Sequence, residues 1–543
     1  MNQNIKITIF VLGFLLPISL MAQINSQDDN TVKELDANKT TRKISTLLYY
    51  INNYYVDTLD MPEIVETAII QTLKELDPHS AYISSEDVER ADEPLKGSFE
   101  GVGITFQLYK DTILVVSPIP GGPSDKVGIM AGDKIIKVDG EDAYGEDITN
   151  KWVMDHLRGD KGTKVEVAIY RNGNSNLIDF EITRDKIPIN SMDAAFMLDK
   201  KTGYIKLNRF AKTSLKEVND ALLDLKDQGL KNLIFDLRSN SGGYLGTAMS
   251  ISDEFLPKDK LIVYTEGIHS PRQELVSTNA GEFEDGKLII LINEGSASAS
   301  EIVSGAIQDW DRGVIIGRRS FGKGLVQRPL QLPDRSVVRL TIARYYTPSG
   351  RCIQKPYDDG VDEYYADFKH RMEHGELIHP DSINFPDSLK YQTQNGRTVY
   401  GGGGIMPDIF VPLDSVRYND LYSQFIRKGV FNSFTNDYLA SNRSELLNKY
   451  NSFDEFNSSF YLSDGDFDAF LKVAEEKDVE VDDAELNPNV DFIKLQLKAL
   501  LARNLYDASD YFEVMSLMDK EIMTAMEVIS NNKTYSKYVN NSK

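Results

Sequence analysis

Helical spacing of apolar residues marks the first regular part of the chain. Apolar side chains recur every three to four residues over 41–76, as in amphipathic helices, and residues 60–62 interrupt the pattern. Asp77-Pro78-His79-Ser80 ends the segment, because the residue before a proline avoids helical backbone angles. Residues 23–37 are mostly polar. The pattern therefore predicts a polar leader and a helical segment within residues 23–96.

Short strand-like runs replace the helical spacing over residues 97–185. The turn Gly101-Val102-Gly103-Ile104 leads directly into a strand, and glycines separate the later runs. This pattern predicts a small β domain between two regions of different character.

Strands and helices alternate over residues 186–412, which predicts an α/β core. The runs 233–237 and 287–292 are almost wholly apolar, as buried strands are. A glycine-bearing turn follows each of them, at 239–243 and 293–298. We expect the two turns to meet around one reacting carbonyl group.

Two regions fall outside this alternation. Residues 350–400 are polar and are expected to form an irregular surface insertion, before the chain returns to the core through a strand at 409–411. Residues 413–543 have mostly helical spacing and are interpreted as an appended helical domain.

Ser298 is the candidate nucleophile. It opens an amphipathic helix directly after a strand, where free backbone N–H groups and the positive end of the helix dipole favour developing negative charge. The alternative is structural, since Ser298-x-x-Glu301 is also a capping box. The turn lacks the Gly-x-Ser-x-Gly pattern of the α/β-hydrolases.

Lys323, between two glycines, is the candidate general base. A free lysine has a pKa of about 10.4 and is charged at neutral pH. Lowering that pKa by about three units requires burial away from carboxylates, at a cost of about 4 kcal/mol. Glu301 must then not form a tight ion pair with the amine. An exposed turn lysine is the alternative interpretation.

The histidines and the single cysteine offer weaker candidates. His79, beside Asp77, is the best histidine for a base, although a loop residue is the simpler interpretation. His374 and His379 lack the His-Glu-x-x-His order of a zinc helix, so no metal is expected. Cys352 has no cysteine partner, so stability must come from packing and not from a disulfide.

Charge and the N-terminus limit the partners and the compartment. The net charge of −23 argues against a nucleic-acid partner. Lys6, an apolar run over 7–21 and Ala22 form an export-signal pattern, which predicts a periplasmic or cell-envelope protein. An uncleaved signal acting as a membrane anchor is the alternative.

Residues 97–185 resemble a PDZ domain. The resemblance rests on Gly101-Val102-Gly103-Ile104 and on Gly132-Asp133-Lys134-Ile135-Ile136 ending in Asp139-Gly140. Such a turn can direct backbone N–H groups at a peptide's terminal carboxylate, and the strand after it can pair with the peptide. A β domain that serves only as a spacer is the alternative.

Six motifs, in order, resemble the C-terminal processing peptidases, tail-specific serine proteases of peptidase family S41. The resemblance spans about residues 41–412. The motifs are Leu76-Asp77-Pro78-His79-Ser80, the glycine turn at 97–104, 236–243, 296–301, Gly322-Lys323-Gly324-Leu325-Val326-Gln327 and 403–408.

The resemblance implies a Ser/Lys dyad without cofactor or metal. Ser298 matches the nucleophile, Lys323 the general base and Gln327 the residue that orients the lysine, while Glu301 lies where some members have a supporting acid. Ala299 would supply one oxyanion N–H, and Gly242 or Gly243 the other. Arg158 lies where the PDZ domain of related proteases can communicate with the active site.

The expected architecture is a ClpP/crotonase-like α/β protease core with an inserted PDZ domain, an N-terminal helical segment and a C-terminal helical domain. The predicted boundaries are 1–22 for the signal, 23–96, 97–185, 186–412 and 413–543. Expected partners are protein or peptide substrates bound by their C-termini, and a homo-oligomer or an adaptor stays open. The rival functions are a non-catalytic PDZ scaffold and a crotonase-type acyl-CoA enzyme.

Overall fold

A computed structural model describes residues 38–171, 174–278, 281–383 and 385–539. The predicted export signal and polar leader lie outside these residues. The described residues divide after Thr72 into two compact units. None of the helices in the described ranges is both long enough and apolar enough to span a bilayer.

Two helices form the N-terminal segment, as the apolar spacing predicts. The first covers 38–54 and the second Met61–Lys74, so the interruption falls at 55–60, earlier than the predicted break at 60–62. A short strand and a third helix follow, at Ala81–Ile83 and Val88–Lys96.

A small antiparallel sheet forms the next region. Its strands lie in the order Ile104–Tyr109, Thr112–Pro118, Lys134–Val138, Lys164–Tyr170 and Ile178–Thr183, with Glu141–Asp142 beside the third. Helices Pro123–Val127 and Asn150–Leu157 pack on it around an apolar core that includes Ile113, Val153 and Ile169. The pair Ser98–Gly101 and Asp185–Pro188 runs alongside, where the chain enters and leaves this region.

The α/β core is a six-stranded sheet. Its order is Met192–Met197, Thr202–Leu207, Asn232–Asp236, Lys287–Ile292, Val314–Gly317 and Ile409–Phe410, and every pair after the first is parallel. Helices Ser214–Asp227, Leu245–Asp253 and Ala299–Asp309 pack on one face. Because parallel strands bury both faces, the strands are continuously apolar, as predicted.

A second sheet lies beside the core sheet. Its order is Ala81–Ile83, Val337–Tyr346, Leu261–Gly267 and Ser270–Val276, and Leu325–Gln331 also pairs with Val337–Tyr346. The longest strand of this sheet therefore adjoins both the strand after Asp77-Pro78-His79-Ser80 and the strand that begins just after Lys323.

Residues 350–400 are more ordered than the sequence suggested. They contain helix Val361–Glu373, the 3₁₀ turns Pro380–Ser382 and Asp387–Leu389, and the strand pair Lys390–Gln392 and Thr398–Tyr400. The prediction of an irregular insertion was wrong, because the helix buries only Tyr364 and Arg371 and so carries little apolar periodicity.

The C-terminal region is helical, and most of it has its own core. Phe425, Phe456, Phe470 and Leu497 are among the residues buried there. Its helices are Asp420–Arg427, Val430–Lys449, Phe453–Ser459, Asp464–Glu476, Asp483–Leu486, Val490–Leu505, Asp510–Ser516, Lys520–Ser530 and Asn532–Tyr538.

The last two helices depart from the picture of an appended domain. Ile522, Ala525, Val528 and Ile529 pack with Ile289 and other residues of the core sheet, on the face opposite the three core helices. They are therefore part of the α/β core, and their helical spacing alone could not indicate which surface they cover.

Candidate active site

Ser298 lies on a sharp turn between strand Lys287–Ile292 and helix Ala299–Asp309. Its backbone angles are φ 54° and ψ −110°, which side-chain-bearing residues rarely adopt. Such backbone strain persists only where the surroundings enforce it, and it is common at catalytic turns. The turn places the serine at the N-terminus of a helix whose residues are all buried.

Glu301 joins the serine turn to the lysine turn. Its Oε2 accepts the backbone N–H of Ser298 at 2.8 Å and that of Lys323 at 2.9 Å. Its Oε1 accepts the Gly322 N–H at 2.7 Å and the Ser320 hydroxyl at 2.5 Å. Burial raises the pKa of Glu301 to about 7, while these hydrogen bonds favour the anion. The capping-box interpretation therefore holds for the Glu301 carboxylate, which also reaches the second turn.

Tyr345 forms a second connection between the same two turns. Its buried hydroxyl lies 2.5 Å from the carbonyl oxygen of Lys323 and 3.0 Å from that of Ser298. Tyr345 could not be recognised as a site residue from the sequence. Its only signal was its position on the alternating strand Val337–Tyr346, which names no partner.

The Lys323 amine is largely buried. Burial lowers its pKa, against the charges of Glu301 and Asp77, which raise it. Nζ donates to Gln327 Oε1 at 3.3 Å. The ion pairs of the described residues do not include Lys323, and its amine is hydrogen-bonded to Gln327 and not to Ser298 Oγ.

His79 contacts the site through its backbone carbonyl. Its carbonyl oxygen accepts the Gln327 amide N–H, so it helps to orient Gln327. Its ring Nε2 lies 2.8 Å from the Tyr364 hydroxyl. Burial, together with the nearby Lys323 charge, lowers the pKa of His79 to about 4, so the ring is neutral at neutral pH.

The glycine turn at 239–243 lies directly against Ser298. A Cβ on Gly242 would lie 2.9 Å from Ser298 Cβ and 3.0 Å from the Ala299 nitrogen. The Gly242 N–H donates to Asn240 Oδ1 at 2.9 Å, so it is not free to bind an oxyanion. Within the described part of the chain, the N–H groups of Gly243 and Ala299 have no acceptor.

The turn Gly101-Val102-Gly103-Ile104 lies at the edge of the small sheet. The Val102 carbonyl accepts both the N–H and the hydroxyl of Ser124, at 3.0 and 2.7 Å. Gly103 has φ 74°, and a Cβ there would meet Ile187 at 2.9 Å, so glycine is required. These contacts fix the turn and leave strand Ile104–Tyr109 as the outermost strand of its sheet.

Arg158 is remote from the serine and lysine turns. Its guanidinium pairs with Glu93 on helix Val88–Lys96 and lies 4.7 Å above the Phe99 ring. The preceding residue of the helix, Asp92, pairs with Arg339 of the long strand at 3.0 Å.

The remaining candidates from the sequence form no site. Among the described residues, no group of three or more histidine, cysteine, aspartate or glutamate side chains could hold a metal ion. Cys352 is a partly buried free thiol, and burial raises its pKa.

Three family models match the sequence. Residues 201–364 match peptidase family S41, residues 101–182 match the PDZ domain, and residues 421–507 match a family of unknown function, DUF8443. The first match covers four strands of the six-stranded sheet and the serine turn, and the second covers the smaller sheet with the glycine turn.

Curated relatives share most of their length with the chain. The carboxy-terminal-processing protease of Bartonella bacilliformis is 37% identical over 354 residues, which cover 64% of this chain and 80% of the relative. The carboxy-terminal processing protease CtpA of Bacillus subtilis is 35% identical over 314 residues, covering 58% and 66%.

Similar solved structures include proteases and an isolated PDZ domain. The photosystem II D1 C-terminal processing protease is 30% identical, with a TM-score of 0.33, covering 56% of this chain and 81% of that one. The PDZ domain of a carboxy-terminal protease from Vibrio cholerae, solved with a peptide, is 31% identical, with a TM-score of 0.16, covering 17% and 99%.

The extent of the match to the Bartonella relative decides the family, and the family models locate its two domains in this chain. The chain belongs to peptidase family S41 and is a serine-type, carboxy-terminal processing protease with a PDZ domain.

Proposed function

We propose that this protease cleaves peptide bonds with a Ser298/Lys323 dyad and selects substrates by their C-terminal tails. The observation that carries the proposal is the Glu301 carboxylate, which accepts the backbone N–H groups of both Ser298 and Lys323. The Lys323 amine itself forms no ion pair within the described residues and is hydrogen-bonded to Gln327. Burial lowers the pKa of this amine and so favours the neutral form that a general base needs.

The first step forms an acyl-enzyme. Ser298 Oγ attacks the scissile carbonyl carbon, and its proton passes to the neutral Lys323 amine, which turns from Gln327 toward the serine. The Ala299 and Gly243 N–H groups, which lack acceptors, suit the oxyanion of the tetrahedral intermediate. The lysine then gives the proton to the departing amine.

The second step releases the product. Lys323, neutral again, takes a proton from water, which attacks the acyl carbonyl, and the proton returns to Ser298 as the ester bond breaks. Gln327, held by the His79 carbonyl, keeps the lysine close to the serine turn between steps.

Tail recognition is assigned to the PDZ domain. A peptide can add to the free edge of strand Ile104–Tyr109, with its terminal carboxylate at the turn Gly101-Val102-Gly103-Ile104. Arg158 is assigned a regulatory role through helix Val88–Lys96. It pairs with Glu93 of this helix, and the adjacent Asp92 pairs with Arg339. The charge of Arg339 in turn lowers the pKa of Lys323.

Cleavage of a loosely folded protein with a natural tail tests the dyad. Ser298→Ala and Lys323→Ala should each abolish cleavage while the variants still bind the tail. Full activity of Lys323→Ala would refute the base assignment, and loss in His79→Gln alone would favour histidine. Intact binding with no cleavage by the unaltered protein would favour the scaffold function.

Amidating the substrate's C-terminus tests the tail role, because it removes the negative charge and should raise KM. An equal effect of amidation on a variant with Gly103→Val, which disrupts the turn, would contradict that role.

The export-signal pattern supports action on cell-envelope proteins, and fractionation of cells that produce the full chain tests this. Recovery in the cytoplasm alone would contradict it.

A further inference from the structure

A single carboxylate, that of Glu521, bridges two arginines that contact different turns of the site. Its Oε1 lies 2.8 Å from Arg318 Nη1, and its Oε2 lies 3.4 Å from Arg238 Nη1. All three side chains are nearly buried, with 13%, 7% and 14% of their surfaces exposed. At such low exposure the pairs are little screened by solvent.

Arg238 begins the glycine turn that packs against Ser298. Its guanidinium binds the fully buried Asp236 through Nε and Nη2, the latter at 2.6 Å, and its Nη1 binds Asp519 at 3.0 Å. The Arg238 carbonyl accepts Lys206 Nζ at 3.2 Å. Residues of the sheet therefore fix the start of this turn on one side, and the C-terminal segment fixes it on the other.

Arg318 holds the serine turn from the same side. Its Nε donates to Glu294 at 2.8 Å, and Glu294 lies in the turn that leads to Ser298. Because Arg318 follows strand Val314–Gly317 directly, the pair fixes the turn to the neighbouring strand.

The two turns also contact one another close to these arginines. The Ser239 N–H donates to Asn293 Oδ1 at 2.7 Å, and the Ala297 N–H donates to the Asn240 carbonyl at 3.0 Å. A cavity of about 520 Å³ borders Arg238, Arg318 and Glu521. Direct hydrogen bonds and the buried ion pairs therefore act together to hold the turns on this side.

We propose that Glu521 is a positioning residue for catalysis, which sets the distance between the oxyanion turn at 239–243 and the serine turn at 293–298. The inference rests on the proposed function of those turns. It gives the C-terminal segment a role in the reaction, because helix Lys520–Ser530 docks on the core sheet and presents Glu521 beneath both turns.

Small shifts between the turns are sufficient to change the rate. Oxyanion donors must be held within about 0.5 Å of their productive positions, so a relaxed pair of turns stabilises the transition state less while substrate still binds. Removing the Glu521 charge should therefore lower kcat and leave KM nearly unchanged.

The experiment compares Glu521→Gln with Tyr535→Phe in the full-length chain. Tyr535 anchors the same C-terminal segment, since its hydroxyl accepts the Leu288 N–H at 2.9 Å. Leu288 lies about 16 Å from the serine turn, at about 3.3 Å per strand residue. Tyr535→Phe therefore weakens docking without touching either turn.

We expect Glu521→Gln to lower kcat about tenfold and to keep KM within twofold of the wild-type value. Tyr535→Phe should keep both kcat and KM within twofold of wild type, although the two variants lose similar thermal stability. Unchanged kcat in Glu521→Gln would overturn the proposal. An equal fall of kcat in both variants would show that Glu521 only docks the C-terminal segment, and this result would also overturn the proposal.

Glu521→Asp covers the case in which Glu521→Gln does not fold. It keeps the charge but is too short to bridge both arginines, so kcat should fall while the fold persists; wild-type kcat would refute the bridging role. Cleavage by Ser298→Ala would instead refute the dyad, so the two failures are distinguishable.

Discussion

Glu301 Oε2 accepts the backbone N–H of Lys323 at 2.9 Å and leaves the amine of that lysine out of any ion pair. The carboxylate is occupied by Ser298, Ser320, Gly322 and the Lys323 backbone. It therefore fixes the position of the lysine without the close contact to Nζ that would keep the amine charged. The hydrogen bond between the buried acid and the lysine runs through the main chain, while burial lowers the pKa of the amine.

Lys323→Arg should be as inactive as Lys323→Ala, with kcat lower by about 10³-fold or more. Arginine keeps the positive charge but does not release its proton in proteins. Cleavage of a tailed substrate at saturating concentration measures the effect. Lys369→Ala, at an exposed helix position, serves as the control and should keep full activity. Substantial activity of the arginine variant would show that Lys323 acts only as a charge.

The rate should rise with pH, because only the neutral Lys323 amine accepts a proton. Burial lowers the pKa of Lys323, so the rise should be centred below the value of about 10.4 for free lysine. The Asp77 charge raises that pKa, and Asp77→Asn should therefore move the rise to lower pH. The pH profile of kcat measures both effects. A shift to higher pH in Asp77→Asn would contradict the assigned sign.

Gly242→Ala should lower kcat about 100-fold, because the added methyl group would fill the space before the Ala299 N–H. The residue's φ of 105° adds strain of about 1–3 kcal/mol. Gly246→Ala is the matched control, since a Cβ there meets nothing within 4 Å. It should keep activity and gain up to about 1 kcal/mol of stability as a helix residue. Equal kcat values for the two variants would show that this turn does not help to stabilise the oxyanion.

Tyr345→Phe should lower kcat about tenfold, because the carbonyls of Ser298 and Lys323 lose their shared donor, and it should cost about 1–3 kcal/mol of stability. The neighbouring Tyr346 stacks on Tyr264 at 4.7 Å, so Tyr346→Phe keeps its ring contact and provides the control. Kinetics and chemical denaturation report the two effects. Unchanged kcat in Tyr345→Phe would mean that Glu301 alone aligns the turns.

Ala525→Asp should destabilise the protein by about 3 kcal/mol or more, because it buries a charge between the last long helix and the core sheet. Met523→Asp, on the same helix but 56% exposed, should change the free energy of unfolding by less than about 0.5 kcal/mol. Denaturant unfolding measures both. Similar values for the two variants would place this helix away from the sheet.

The motifs determined the family and the domains, because each combines residue types that only a few folds use together. Gly242 and Gly243 are required by positive φ values beside Ser298, and such a demand is visible in a sequence as an unusual run of glycines. The apolar strand 287–292 before the serine turn was equally plain. Gln327 was found only through the family resemblance.

Only the tertiary structure decided which groups meet. Tyr345, Glu521 and Arg318 lie 47, 223 and 20 residues from Ser298 along the chain, and neither periodicity nor spacing encodes contacts at such separations. The sequence revealed the apolar faces of the C-terminal helices, but it did not reveal that some of these faces pack on the core sheet. Local patterns set backbone conformation, whereas the pKa of Lys323 and the alignment of two turns depend on burial and charge that form only when distant segments pack together.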